Sequence, residues 1–109
     1  MNASDPEANG LKPTTHLDRL IHEPGRLMIM AYLYVVEKAD FVFLMRQTGM
    51  TQGNLSSHLS KLEAAGYVEI EKSFKGKKPL TMLRLTDAGR TGLREYRESM
   101  SRVLDGIPD

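Results

Sequence analysis

Residues 48–66 read TGMTQGNLSSHLSKLEAAG. A Thr-Gly pair closes one segment and Gly66 closes the next. Between them Leu55, Leu59, Leu62 and Ala65 recur at helical spacing. Thr51 is placed as an N-cap, its hydroxyl free to accept from the unpaired amides of a first turn, so the stretch predicts a helix over 51–65. Its other face is unusual. A surface helix ordinarily covers its wet side with long charged residues. This one carries Gln52, Gly53, Asn54, Ser56, Ser57 and Ser60, with Lys61 following. Just upstream, Phe41–Gln47 (FVFLMRQ) is a short apolar run ending at Thr48-Gly49. Gly49 is placed to end a helix in the left-handed conformation. Phe41 and Val42 have strand propensity, so a few extended residues are expected ahead of that helix. Two short helices joined by a Gly-containing turn of about four residues are the helix-turn-helix signature.

Downstream, Tyr67–Phe74 (YVEIEKSF) alternates, with Val68, Ile70 and Lys72 against Glu69, Glu71 and Ser73. That period of two predicts a strand. KGKKP is a turn marked by Gly76 and Pro79, and Leu80–Leu85 (LTMLRL) is the returning strand, giving a hairpin with a lysine-rich tip. Thr86 is a second N-cap with Asp87 well placed in the first turn. The helix it starts runs to about Val103 with a narrow apolar stripe of Leu93, Tyr96, Met100, Val103 and Leu104. Upstream, Arg26–Glu37 (RLMIMAYLYVVE) is apolar almost all round; length and the Met, Leu and Ala content favour a helix. Such a helix needs cover on more than one side. HEPG before it is read as punctuation and Lys38–Asp40 as a polar break. Leu17, Leu20 and Ile21 form an apolar patch at helical spacing, and residues 1–15 are expected to be a mobile tail.

The 109 residues fit one domain, placed at 16–105, and 40% hydrophobic content permits only a small core. No apolar run is long enough to span a membrane, and the first residues lack the pattern of a secretory signal. With no cysteine there are no disulfides, thiolate metal sites or cysteine nucleophiles, and a cytoplasmic setting is expected. The net charge of +1 by itself suggests no polyanionic partner, and its distribution says more. Between Arg46 and Arg84 stand seven bases (Arg46, Lys61, Lys72, Lys75, Lys77, Lys78, Arg84) and three acids (Glu63, Glu69, Glu71), a surplus of +4 that leaves −3 elsewhere. Such sorting can mark a nucleic-acid-facing surface, and a chance fluctuation of a few surface charges would give the same count.

The order helix, short strand, helix, turn, helix, hairpin, helix is α+β and mostly helical: a winged helix-turn-helix with a two-stranded wing. The segment LMRQTGMTQGNLSSHLSKLEAAGYVEIEKSFKGKKPLTMLRLTDAGR resembles the core of the small MarR-like transcription regulators, with TGMTQGNLSSHLSKLEAAGY as recognition helix, KGKKP as wing and LTDAGR as the start of the last helix. The resemblance covers roughly residues 17–104 and is most specific over 44–90. It implies a dimeric DNA-binding protein with a helical dimer interface.

The residues themselves suit that implication. A helix in the major groove must bring its backbone near base edges, and Gln, Asn and Ser can bond to them. The candidate DNA-binding residues are Thr51, Gln52, Gly53, Asn54, Ser56, Ser57, Ser60 and Lys61 on the helix, Lys75, Lys77 and Lys78 on the 75–79 wing, and Arg84 behind it. Helices at about 17–37 and 87–104 are expected to pair two copies through Leu17, Leu20, Ile21, Leu27, Met30, Tyr34, Leu93, Tyr96, Met100, Val103 and Leu104. That predicts a homodimeric repressor on a near-palindromic operator in double-stranded DNA. Met28, Met30, Tyr32, Tyr34 and Met100 are weighed as lining for a small-molecule effector near the interface, against the commoner role of such residues as core. His58 is expected to pack or make a structural hydrogen bond. His16 and His22 look isolated, and without ligand-spaced partners no metal or cofactor is expected. No catalytic motif is present, so the chain is not read as an enzyme. The alternative is a winged helix that binds protein instead of DNA. It would expose apolar or aromatic residues on the 52–61 face or the wing, and none is expected there.

Overall fold

The computed structural model of the protein describes residues 17–109. The tail expected over 1–15, and His16, lie outside the described residues. In chain order the elements are α1 (Pro24–Val36), β1 (Lys38–Asp40), α2 (Phe41–Thr48), α3 (Gln52–Ala64), β2 (Val68–Lys75), β3 (Lys78–Leu85) and α4 (Asp87–Asp105). The strands form one antiparallel sheet in the order β1-β3-β2.

Helix boundaries follow from capping. Asp40 accepts from the Phe43 amide at 2.8 Å, Thr51 from Asn54 at 3.2 Å and Thr86 from Gly89 at 3.0 Å. Each supplies a side-chain acceptor to a first-turn amide that has no partner within its helix. Gly49 ends α2 at φ 72°, as its left-handed capping role requires. Three sequence expectations are corrected near such points. HEPG does not merely interrupt the chain. Glu23 caps α1 by accepting from Arg26 N at 2.8 Å, and Pro24 occupies the first turn, where its missing N–H costs nothing. The extended residues ahead of α2 are Lys38–Asp40, not Phe41 and Val42, because the Asp40 cap commits the latter to the helix. Leu17–Glu23 is a series of turns rather than the beginning of a 17–37 helix. Asp18 holds it by accepting from Leu20 N at 2.8 Å.

The core gathers Ile29, Met30 and Leu33 of α1, Leu44 of α2, Leu55, Leu59 and Leu62 of α3, Val68, Leu83 and Leu85 of the sheet, and Ile21 and Tyr96. Three buried leucines on one stripe of α3 give it a single orientation. Burying each contributes on the order of 2 kcal/mol, so the opposite stripe of α3 is held outward with little freedom.

Candidate nucleic-acid interface

Inside α3 the six short polar residues and Lys61 do not share one face. With ~100° between successive residues, and the leucine stripe inward, they divide three ways. Gln52, Ser56 and Ser60 turn toward the sheet. There they line a hollow of about 300 Å³ together with Phe41, Leu59, Ile70, Lys72, Thr81 and Leu83. Gly53, Ser57 and Lys61 lie outermost and are exposed. Asn54 lies on the far flank with His58.

That far flank is tied to the rest of the fold. Arg26 donates to His58 Nδ1 at 3.2 Å and to the Leu20 carbonyl at 2.6 Å. A guanidinium only donates, so His58 Nδ1 is the acceptor. The Glu23 carboxylate stands 3.9 Å from His58 Nε2. Its pKa is lowered, first by the hydrogen bond from the Arg26 amide and further by the nearby Arg26 guanidinium charge. His58 thus packs and bonds within the fold, as expected. His22 is not isolated: its Nδ1 lies 2.8 Å from the Tyr96 hydroxyl. Among the described residues no three His, Asp or Glu side chains are grouped as metal ligands.

The wing continues from the same side of the sheet. β2 and β3 pair from Val68↔Leu85 out to Lys75↔Lys78 around a two-residue turn, with Gly76 at φ 65°. The turn is tighter than KGKKP suggests, because Pro79 already lies in β3, opposite Phe74. β1 pairs only with Met82–Arg84, so β3 has an open edge at Pro79, where a residue without an N–H is tolerated. Lys75 and Lys78 stand directly across from each other, a like-charge pair that weakens a hairpin by a few tenths of a kcal/mol or more.

Alternation sorts the remaining charges. Arg84, expected behind the wing as a phosphate contact, lies on the face of the sheet away from α3. Leu83 and Thr81 face α3, so Arg84 points to the opposite face, where it is ion-paired with Glu69. Lys72, by contrast, lines the hollow beside Gln52 and Ser56. Its period-two placement with Val68 and Ile70 was the signal available for it. Phe74 was missed outright. It sits on the wing 71% exposed, contrary to the expectation that no aromatic residue would be exposed there.

On the opposite side of the molecule, several residues expected at a dimer interface turn inward instead. Ile21 and Met30 have no exposed surface, and Tyr96 has almost none, because each is spent on the chain's own core. Leu17 and Leu20 also pack against that core. Leu27, Leu93, Met100 and Leu104 border a shallow groove between α1 and α4, and Tyr34 borders the hollow next to it. Val103 is half-buried. Met28 and Val35 on α1, 42% and 79% exposed, add to this apolar surface. The five residues considered for an effector do not line one cavity: Met30 is in the core, Met28 is exposed, Tyr34 and Met100 border different hollows, and the Tyr32 hydroxyl reaches only the Gln47 carbonyl at 3.5 Å. No helix among the described residues is long and apolar enough to cross a membrane.

Residues 26–104 match the family model described as winged helix DNA-binding domain. The chain is 38% identical over 78 residues to the uncharacterized protein MJ0432 of Methanocaldococcus jannaschii, covering 72% of this chain and 85% of that one. Its fold superimposes on the transcriptional regulator homologue from Pyrococcus horikoshii with a TM-score of 0.77 and 32% identity, over 82% of this chain and 88% of the other. A MarR family transcriptional regulator from Silicibacter pomeroyi shares the fold at a TM-score of 0.58 and 23% identity, over 83% and 62% of the two chains. With helix-turn-helix, wing and flanking helices all in place, the chain belongs to the winged helix DNA-binding domain family, and its structural kin are transcriptional regulators, MarR-like ones among them.

Proposed function

We propose that the protein is a sequence-specific DNA-binding transcriptional repressor, acting in the cytoplasm as a homodimer on a near-palindromic operator. α3 enters the major groove and the 75–79 wing meets the adjacent backbone. The observation that carries this reading is Gly53. Glycine in a helix costs up to about 1 kcal/mol relative to alanine. A Cβ added at Gly53 would meet nothing within 4 Å, and its φ is not positive. The fold does not require this glycine, and the open space over it leaves room for a body that approaches the helix from outside. The outermost line of Gly53 and Ser57 lets DNA come close. Gln52 and Ser56 on one side and Asn54 on the other then offer hydrogen bonds to base edges, with Thr51, Ser60 and Lys61 at the margins. Lys72, Lys75, Lys77 and Lys78 supply phosphate contacts that position without reading sequence.

The apolar surface of α1 and α4 supports the two-fold arrangement. Leu27, Tyr34, Val35, Leu93, Met100 and Leu104 are the residues we assign to it, with Val103 at its edge. A two-fold axis there would set the two copies of α3 about 34 Å apart, one DNA turn. A small-molecule effector would use the hollow of about 300 Å³ bounded by Ala31, Tyr34, Val35, Leu93, Arg94 and Arg97, whose two arginines favour an anion.

Selection of bound duplexes from a random pool, run at two salt concentrations, tests the reading. An inverted repeat is the expected outcome. Replacing Gln52 and Asn54 by alanine should relax base preference. Replacing Lys77 and Lys78 should weaken binding to all sequences about equally and lower the salt slope by ~2. If neither pair changes DNA affinity, the reading fails. Sedimentation showing only monomer at micromolar concentration would remove the dimer. The exposed Phe74 favours a second reading, a protein-binding module; it requires that the intact protein select no duplex at all.

A further inference from the structure

We propose that Phe74, backed by Pro79, is an apolar wedge that the wing inserts into the DNA minor groove, so that the protein selects its site partly by how readily a base step there unstacks. This rests on the reading that duplex DNA is the partner.

The cross-strand pairs on the α3 side of the hairpin run outward as Ile70 with Leu83, Lys72 with Thr81, and Phe74 with Pro79. Leu83 belongs to the core, and Lys72 and Thr81 line the hollow against α3. Phe74 is four residues beyond Ile70 on the same face, which at ~3.3 Å per residue places it ~13 Å farther out. That exceeds the ~7.5 Å depth of the minor groove. A two-stranded ribbon fits the major groove but not the ~6 Å minor groove, so at the wing only a side chain can enter. Phe74 is the apolar side chain at that reach, and the fold makes little use of it, since it is 71% exposed.

The charges around it match a polyanion. From Lys72 to Lys78 the chain has four lysines and no acid. Glu71 and Glu69 point to the other face, the latter held by Arg84. Lys75 and Lys78 oppose each other across the strands, an arrangement that phosphate contact would relieve. With lysines on the backbones and an aromatic ring between them, the tip has the composition of minor-groove wedges that part a base step. Phe74 has no donor or acceptor, so what it senses is deformability. Flexible pyrimidine–purine steps such as TA and CA/TG should be preferred at its position.

The test uses the full chain, as wild type and as the variants Phe74→Ala, Phe74→Leu and Lys77→Ala/Lys78→Ala. Duplexes from the selected site carry 2-aminopurine at successive steps under the wing. Wild type should raise the fluorescence at one step. Phe74→Ala should abolish that rise and lose about 10-fold in affinity, with an unchanged salt slope and melting temperature. Phe74→Leu should keep part of both. The lysine variant should keep the fluorescence rise while its salt slope falls. If Phe74→Ala binds within about twofold of wild type, the wedge is overturned while the DNA reading stands. The same holds if Phe74→Ala only disrupts self-association. If wild type binds no duplex, it is the DNA reading that fails.

Discussion

Helices α3 and α4 each begin at a threonine whose hydroxyl accepts from the amide three residues on, Asn54 in one and Gly89 in the other, and each has a glycine in its first turn. Their surroundings diverge from there. Thr86 also donates to the Gly66 carbonyl at 2.6 Å, and Asp87 places an acid near the positive end of the helix. Gly89 is buried, and a Cβ there would collide with the Tyr67 carbonyl oxygen and with Leu85. The start of α3 has a single capping bond, no acid in its first turn and a glycine facing open space. An acid there would stabilise the helix by about 0.3–1 kcal/mol, yet the sequence places Gln52, Gly53 and Asn54 instead. One helix start is used up by the fold; the other is left available.

Gly89→Ala should separate the two helix starts most strongly. The added methyl meets backbone, which cannot swing aside, so a loss of about 3 kcal/mol or more is expected. Thermal melting would read this as a fall well beyond 10 °C for a domain of this size. A melting temperature within a few degrees of wild type would show that α4 is not held at Tyr67 as described. The two caps give the next contrast. Thr86→Ala removes two hydrogen bonds, one of them to the turn that ends α3, and should cost about 2 kcal/mol. Thr51→Ala removes one exposed bond and should cost about 1 kcal/mol or less. Equal losses in urea titrations would erase the distinction.

How far this asymmetry could be read in advance varies from residue to residue. Both threonine caps, Gly49 and the α3 leucines were legible because capping and 3.6-residue periodicity are local properties. β1 was not. Lys38–Asp40 has no strand propensity and becomes a strand only because β3 pairs with it. The direction of Ile21, Met30 and Tyr96 was equally hidden. Periodicity identifies an apolar stripe but not whether its cover is the same chain or another. The difference between Gly53 and Gly89 was invisible for the same reason: it is set by whether the Tyr67 carbonyl, distant in sequence, stands over the position. Phe74 could have been placed by extending the alternation of Ile70 and Lys72 by one more pair.

A smaller effect tests the support behind the start of α4. The Tyr67 carbonyl that abuts Gly89 also accepts from Thr86 N at 2.9 Å, and the Tyr67 hydroxyl donates to Asp18 Oδ2 at 2.5 Å. That bond, then burial, then the negative charges of Asp18 and Glu95, push the Tyr67 pKa up to about 12. The fold therefore favours the neutral phenol. Its contribution is complete below the unfolded value of about 10 and is lost as pH rises through about 12. Tyr67→Phe should cost about 1 kcal/mol at neutral pH, and the gap from wild type should close between pH 10 and 12. A constant gap across that window would mean that the hydroxyl does not hold the turn.

The smallest expected change in stability separates the two glycines most directly. Gly53→Ala should raise stability by about 0.5 kcal/mol, since alanine is the better helix former and meets no neighbour. The same methyl projects from the outermost line of α3, into space that the duplex must occupy if the helix lies in the major groove. Affinity for the selected site should then fall by about 10-fold or more while the melting temperature rises. That opposition is informative because a variant impaired through its fold would lose both together. If Gly53→Ala gains stability and binds as before, the close approach lies elsewhere on the helix, and Ser57 is the position to substitute next. If it loses stability, the open space at Gly53 is not there, and the glycine belongs with Gly89 as a requirement of the fold.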